Sequence, residues 1–185
     1  DAVRSRGLGD VYKRQAIAVR EAIVLEFAPT IVSLILAGKV GSNIASTLGT
    51  MRVTEQMDAL RVMGINPASY LVLPKIAACL LFNPILVIFG MLLGLVGGYL
   101  AGDLLNLVNT EVYLSGYFME FFPHYVSYSL IKTFVFAFII ATVSAFFGYK
   151  VEGGAVEVGK ASTKSVVAMS FTIILFNYIL TDIIL

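Results

Sequence analysis

Residues 39–67 read KVGSNIASTLGTMRVTEQMDALRVMGINP, a hydrophilic stretch between two long apolar segments. Thr54 is of a residue type that favours helix N-caps, and Glu55 would follow it in the first turn, where a negative charge suits the helix dipole. Gly64 and Pro67 together predict the end of a helix. The stretch therefore predicts a short helix between two membrane-embedded segments.

One apolar face is expected on this short helix. Val53, Met57 and Leu60 are separated by four and three residues, so a helix would place them on the same side. A capped, charged helix between two spans is not needed to cross a bilayer, and we interpret it as a docking surface for a soluble partner. A solvated loop that happens to be helical is the alternative.

The composition defines the class of protein. Of 185 residues, 58% are hydrophobic and 14% are charged, with a mean hydropathy of +0.89. A soluble domain carries roughly 25% charged residues. The net charge of +1 gives no reason to expect a nucleic-acid partner. The single cysteine, Cys79, lies in an apolar run, so neither a disulfide nor a thiolate metal site is expected.

Four apolar runs are long enough to be membrane helices. They cover residues 22–38, 76–102, 125–149 and 165–185. The predicted fold class is an all-α integral membrane protein with about four transmembrane helices and the short helix described above. A further interfacial helical segment on the outer side is expected at residues 103–124, which are rich in aromatic residues and contain no lysine or arginine.

The distribution of basic residues predicts the orientation. Residues 39–75 contain four lysines or arginines and residues 150–164 contain three. The positive-inside rule places these two segments in the cytoplasm and residues 103–124 outside. Residues 1–15 would then lie outside with four basic residues, so we expect a tail that is foreign to the rest or disordered, and a domain at 16–185 that is a fragment lacking an upstream span.

Two charged residues fall inside predicted spans. Glu26 and Lys132 lie on spans that run in the same direction and at similar depth, and Pro29 follows Glu26 by less than one turn. Charges in a membrane are costly and usually face a cavity or a partner. We predict that these three residues lie near a lipid path in the outer half of the membrane. A structural ion pair between Glu26 and Lys132 is the alternative.

Small residues recur near the ends of two spans, at spacings that allow close helix contact. The predicted packing positions are Gly38, Gly41, Ser42, Gly94 and Gly98. For the residues after Gly38, a flexible connection is the alternative.

A group of motifs resembles the MlaE-type permeases, the membrane subunits of ABC transporters that move phospholipids. The motifs are RE at 20–21, LEFAP at 25–29, AGKVGS at 37–42, GTMRVTEQMDAL at 49–60, PK at 74–75, GY at 148–149, GGA at 153–155 and GKAST at 159–163. The likeness covers about residue 18 to the end. Members of the family usually begin with an interfacial helix and a first span that this sequence does not contain.

The resemblance implies a multi-pass protein of a bacterial inner membrane, working as a homodimer with a cytoplasmic ATPase and an MCE-domain lipid-binding protein. It implies that the short helix is the coupling helix, with ATPase-contacting residues Thr54, Glu55, Gln56, Met57, Asp58, Leu60 and Arg61. The sequence contains no P-loop, so ATP would be bound by the partner and no cofactor is expected in this chain.

Two other functions remain as alternatives. An intramembrane enzyme would need a nucleophile and a base, but the sole histidine, His124, is predicted at a membrane boundary and no dyad can be named. No metal site is expected, since no second ligand is spaced to join His124. A membrane anchor or assembly factor would explain the spans but not the short helix.

Overall fold

The computed structural model describes residues 2–104, residue 115 and residues 123–184. Within these parts, four helices are long and apolar enough to cross a membrane. We number them spans 1 to 4, and they cover Val11–Val53, Ala68–Gly102, Pro123–Tyr149 and Ala155–Ile184. The predicted all-α fold with four spans is confirmed. The predicted outer interfacial segment lies largely outside the described residues.

The spans are built from helical pieces that follow one another directly. The α-helices are α1 (Ala2–Ala22), α2 (Ala28–Leu36), α3 (Ser42–Val53), α4 (Gln56–Val62), α5 (Leu73–Leu104), α6 (Pro123–Tyr149) and α7 (Ala155–Ile184). Wider π-helical turns occupy Ile23–Phe27, Ala37–Gly41 and Ala68–Val72. Span 1 thus comprises most of α1 together with α2, α3 and two π-turns.

Span 1 continues well beyond its predicted end at residue 38. The polar residues that follow were expected to leave the helix, yet residues 42–53 form α3. Their hydroxyls bond to the helix itself: Ser42 Oγ donates to the carbonyl of Gly38, and Thr50 Oγ1 donates to that of Ser46 at 2.9 Å. A hydroxyl satisfied in this way does not need water and does not end a helix. The alternative of a flexible connection is wrong.

The N-terminal segment has a helical backbone. The sequence suggested an unpacked tail over residues 1–15, whereas α1 begins at Ala2. Side chains are described from residue 11, where Val11 is 59% exposed, and full burial begins at Ala16. The division of the chain into residues 1–15 and 16–185 stays a prediction.

Three apolar clusters lie along the part of the bundle that the structure describes. The middle cluster joins spans 1, 3 and 4 through Ala37, Phe136, Ile139, Ile140, Met169 and Ile173. A second cluster joins spans 1 and 2 through Val24, Ala28, Val87 and Met91. The third joins α4 to spans 1 and 3 through Ile44, Leu48, Met57 and Ala145. The short helix is therefore part of the packed body.

Several glycines allow the helices to approach closely. A Cβ atom on Gly148 would lie 2.7 Å from the carbonyl oxygen of Ala45, which is too close for any side chain. A Cβ on Gly41 would lie 2.6 Å from the sulfur of Met169. Gly148 was not among the predicted packing positions. A side chain there would meet backbone, which cannot rotate away, whereas a side chain at Gly41 would meet the flexible side chain of Met169.

The other predicted packing positions differ in how closely they approach a neighbouring helix. A Cβ on Gly94 would meet Ile23 at 3.0 Å, and the carbonyl of Ser42 accepts a bond of 3.1 Å from Ser162 Oγ on span 4. Gly98 is half-buried. Gly38 is exposed, and a Cβ there would meet nothing within 4 Å in the described part of the chain. Gly38 therefore does not serve as a packing position within the described part of the chain.

Candidate functional site

A buried ion pair joins spans 1 and 3. Lys132 is 0% exposed, and its Nζ atom lies 2.8 Å from Oε1 of Glu26. The Glu26 side chain retains 40% of its exposure. The structure thus brings together the two intramembrane charges singled out from the sequence. The ion pair that was predicted as the alternative is therefore present. Its lysine is buried, and its carboxylate side chain remains partly exposed.

Polar side chains from span 4 complete the site around Glu26. Asn177 Nδ2 donates to Oε2 of Glu26 at 3.1 Å, and Thr181 Oγ1 lies 3.1 Å from Oε1. Thr30 Oγ1 donates to Oδ1 of Asn177 at 2.9 Å, which ties the amide back to span 1. Both carboxylate oxygens are therefore hydrogen-bonded, and three spans meet at one polar cluster.

The ammonium of Lys132 has further acceptors. It donates to the hydroxyl of Tyr128 at 3.2 Å and to Thr181 Oγ1 at 3.2 Å. Tyr128 lies one turn before Lys132 on the same face of α6, and its hydroxyl is 2.9 Å from Thr181 Oγ1. Several acceptors around one ammonium reduce the cost of burying it.

Pro29 contributes through its backbone. It is buried and has no N–H, so it cannot donate to the carbonyl of Leu25 four residues earlier. That carbonyl lies 3.4 Å from Lys132 Nζ. Glu26 itself lies in the π-helical turn Ile23–Phe27, a local widening often found at functional sites. Pro29 thus helps to free an acceptor for the lysine.

Sequence reasoning missed Tyr128, Asn177 and Thr181. A weak signal was present, because Asn177 and Thr181 are polar residues four apart near the C-terminal end of span 4, and Tyr128 and Lys132 are also four apart. The spacing indicates that each pair shares a helix face. It does not indicate that the two faces meet each other and Glu26.

The α4 helix begins later than predicted. Thr54 ends α3, and its hydroxyl donates to the carbonyl of Thr50 at 2.8 Å, so it does not cap α4. Glu55 occupies the N-cap position in the left-handed region with φ 59°, outside the first turn. The predicted cap is wrong because the Thr54 hydroxyl bonds to the helix that precedes it.

The predicted apolar docking face of α4 points into the protein. Met57 is 0% exposed, and Val53 and Leu60 are half-buried. The large apolar side chains that remain outside follow at the end of the helix, where Val62 is 89% and Met63 64% exposed. The apolar stripe holds α4 against spans 1 and 3, and the free surface lies at its C-terminal end.

Charged residues also hold α4 in place. Asp58 accepts hydrogen bonds from Arg52 at 3.0 and 3.2 Å and from Arg61 at 2.9 Å. Arg61 also donates to the hydroxyl of Tyr149 at 2.7 Å, at the end of span 3. This bond is the main cause of the raised pKa of Arg61. Asp58 and Arg61 therefore have partners within the chain, while Glu55 and Gln56 are exposed.

Four apolar spans, a polar cluster within the membrane-spanning region and a packed helix between two spans define a multi-pass membrane protein. The family model described as Permease MlaE matches residues 12–183. The chain belongs to the MlaE permease family. The resemblance seen in the sequence motifs is confirmed.

Curated relatives carry names of the same class. The chain is 41% identical over 161 residues to a probable ABC transporter permease protein of Rickettsia prowazekii, covering 87% of this chain and 62% of the relative. A probable ABC transporter permease protein of Synechocystis is 35% identical, with 86% and 61% covered. The chloroplastic Protein TRIGALACTOSYLDIACYLGLYCEROL 1 of Arabidopsis thaliana is 33% identical, with 85% and 45% covered. The chain thus spans less than two thirds of these relatives.

Proposed function

We propose that this chain is part of the permease subunit of an ABC transporter that moves phospholipids between membranes, driven by a separate ATPase. The observation that carries the proposal is the polar cluster around Glu26 and Lys132. A phospholipid headgroup is charged and polar, and its passage through hydrocarbon needs compensating groups. Glu26 remains 40% exposed and offers such a group beside a buried cation.

The name of one relative supports a polar lipid as the substrate class. This relative is a chloroplastic protein whose name is that of a galactolipid. A galactolipid and a phospholipid both have two acyl chains and a polar headgroup. The pathway proposed here would accommodate the headgroup at the polar cluster and leave the chains against apolar surface.

The test uses the complete transporter with Glu26→Gln and Lys132→Met, singly and together, and measures transfer of labelled phospholipid between vesicles. Protein levels in the membrane are checked by immunoblot. We expect the double variant to keep normal levels and lose transport, because the pair no longer offers charge to a headgroup. Full transport by the double variant would mean that the pair is only structural and would contradict the pathway.

The ATPase is proposed to dock at the C-terminal end of α4. Val62 and Met63 are large apolar side chains on a connection between spans, where the positive-inside rule predicts cytoplasm. Exposed apolar groups at such a position suit insertion into a groove of a soluble partner. ATP would then be bound and hydrolysed by the partner, with Glu55 and Gln56 as flanking polar contacts.

Docking is tested with Val62→Asp and Met63→Asp in the complex. We expect the ATPase to be lost on co-purification while the permease remains in the membrane. Val156→Asp is the matched control, because Val156 is 71% exposed near the same end of the bundle but lies on span 4. Retention of the ATPase by both α4 variants would show that this surface is not the docking site.

The remaining partners are proposals from the family resemblance. A second copy of the chain and an MCE-domain protein on the outer side of a bacterial inner membrane would complete the transporter. Span 4 exposes large apolar side chains along much of its length, including Phe171 at 69% and Tyr178 at 73%, which a second copy would cover. Cross-linking between cysteines introduced at position 178 in two copies tests the dimer.

A further inference from the structure

An apolar crevice of about 250 Å³ lies between spans 1, 2 and 3, away from the Glu26–Lys132 cluster. Its walls include Val40 of span 1, Ala78, Phe82, Asn83 and Leu86 of span 2, and Ile140 of span 3. Nearly all of the lining is apolar. The volume is below the roughly 300–1,000 Å³ of most small-molecule sites, which suits a single hydrocarbon chain better than a whole lipid.

The crevice opens on the exposed apolar side of span 2. Phe82 is 63% exposed and Leu86 is 44% exposed, and both stand at its edge on the outer face of span 2. The lining residues of span 2 extend from Ala78 to Leu86, about 12 Å along the helix. Half of a hydrocarbon core is about 15 Å thick, so the crevice covers the depth of one leaflet. Acyl chains are the molecules present at that depth.

A positive charge lies at one end of the crevice. Lys75 precedes Ala78, Cys79 and Phe82 by three, four and seven residues, so it shares their helix face. Lys75 is half-buried, and it forms no salt bridge within the part of the chain that the structure describes. The ammonium lies near the end of span 2 that adjoins α4. A headgroup phosphate at that level would meet an available cation.

A contact between spans 2 and 3 lies in the wall of the crevice. Asn83 is 4% exposed, and its Nδ2 atom lies 3.5 Å from the carbonyl oxygen of Thr133 on span 3. This contact ties span 2 to span 3 about 12 Å along the helix from Lys75. The crevice is therefore an apolar slot with a cation near the end that adjoins α4 and a contact between spans 2 and 3 in its wall.

We propose that this slot binds one phospholipid of the leaflet facing α4, with an acyl chain between the three spans and the phosphate at Lys75. Anionic phospholipids are favoured, because a basic residue at an anionic membrane surface adds attraction. The bound lipid would fill the gap between span 2 and the rest of the bundle. The site does not depend on the transported substrate proposed above, since it requires only that the chain lies in a bilayer.

The test is photo-cross-linking of the full chain reconstituted in phosphatidylcholine vesicles that contain phosphatidylglycerol with a photoactivatable group in its acyl chain. Cross-linked peptides are quantified by mass spectrometry. We expect the peptide containing residues 78–86 to be enriched several-fold over equally exposed positions on span 4, such as Val167 at 66% exposure. Cross-links spread in proportion to exposure would overturn the proposal, because they would indicate bulk lipid only.

Two variants fill the slot from opposite walls. Ala78→Phe and Val40→Phe are each expected to lower cross-linking at residues 78–86 several-fold, and either suffices if the other fails to fold. Ala77→Phe is the matched control, because Ala77 is exposed beside the slot but does not line it. Unchanged cross-linking in a folded slot-filling variant would overturn the proposal.

The headgroup contact is tested separately with Lys75→Gln. We expect the preference for phosphatidylglycerol over a photoactivatable phosphatidylcholine to fall about fivefold, as one lysine at an anionic surface would give. Lys150→Gln removes the same charge at the end of span 3, outside the slot, and should leave the preference unchanged. An equal preference in Lys75→Gln and the unaltered chain would exclude the phosphate contact.

Discussion

At position 132 a lysine is fully enclosed, while its partner at position 26 keeps 40% of its side-chain exposure. Removing one residue of the pair therefore has a different energetic cost from removing the other. Removing the carboxylate leaves a buried ammonium with only neutral acceptors. Removing the ammonium leaves a carboxylate that is still bonded to Asn177 and partly open. Breaking a buried pair is costly mainly through the charge that is left behind.

This asymmetry predicts an order of stability. Glu26→Gln should lower the free energy of unfolding by about 3 kcal/mol, as expected for a stranded buried charge. Lys132→Met should lower it less, and the double variant should recover much of the Glu26→Gln loss. The measurement is thermal or denaturant unfolding in detergent micelles. A double variant less stable than both single variants would contradict the ion-pair account.

Glu55 carries backbone strain between α3 and α4. Its φ of 59° lies in the left-handed region, which costs a residue with a side chain roughly 1–2 kcal/mol. Glu55→Gly should therefore be more stable than Glu55→Ala by about 1 kcal/mol, although both remove the same charge. The pair is compared by unfolding midpoint. Equal midpoints would show that the surrounding structure does not hold this conformation.

At the scale of elements, the packing of span 1 against span 3 depends on the absence of a side chain at Gly148. A methyl group there would press on the carbonyl of Ala45, which is backbone and cannot rotate away. Gly148→Ala should destabilise the bundle by about 2 kcal/mol, typical of overpacking. Detergent-solubilised protein should show a lower melting temperature and less monodisperse material.

Gly38→Ala is the matched control for this change. Gly38 is also helical, but a Cβ there meets nothing within 4 Å in the described part of the chain. Alanine is favoured over glycine in a helix by ~1 kcal/mol, so Gly38→Ala should be neutral or stabilising. Similar losses in the two variants would indicate that helix packing is not what Gly148 provides.

The attachment of α4 to span 3 is also an element-scale property. Tyr149→Phe removes the 2.7 Å hydrogen bond from Arg61 and keeps the aromatic ring. A hydrogen bond to a charged group contributes about 1.5 kcal/mol, so amide hydrogen exchange in α4 should speed up about tenfold. Tyr178→Phe is the control, because Tyr178 is 73% exposed on span 4. Unchanged exchange in α4 would mean that the buried Met57 and the Arg52–Asp58 pair hold the helix without this bond.

For the whole molecule, α4 and the connection between spans 3 and 4 lie at the same end of the bundle, since Arg61 reaches Tyr149. Cysteines introduced at Gln56 and Glu152 should react with a membrane-impermeant maleimide from one side only. A cysteine at Ser115 should react from the other side. Because Cys79 is the single native cysteine, Cys79→Ser provides a clean background. Labelling of Gln56 and Glu152 from opposite sides would contradict this topology.

The sequence predicted the spans better than their ends. Apolar length identified all four spans. A segment that crosses hydrocarbon must satisfy its backbone hydrogen bonds internally, and a long apolar helix does so. It did not predict that α3 and the first turns of α7 extend the spans into polar sequence. The reason is local: hydroxyls of residues such as Thr50 and Thr163 bond to carbonyls of their own helix. Composition alone does not distinguish this arrangement from a loop.

The sequence by itself determined the class of protein, the four spans found in the described part of the chain and the two intramembrane charges that pair, since these depend on apolar length and on the cost of charge in hydrocarbon. Only the tertiary structure decided that Asn177 and Thr181 join Glu26, and that the apolar face of α4 is turned inward. Helix spacing specifies which residues share a face. Which face meets which neighbour depends on the close approach at positions such as Gly148 and Gly41, where side chains from distant parts of the chain must fit together.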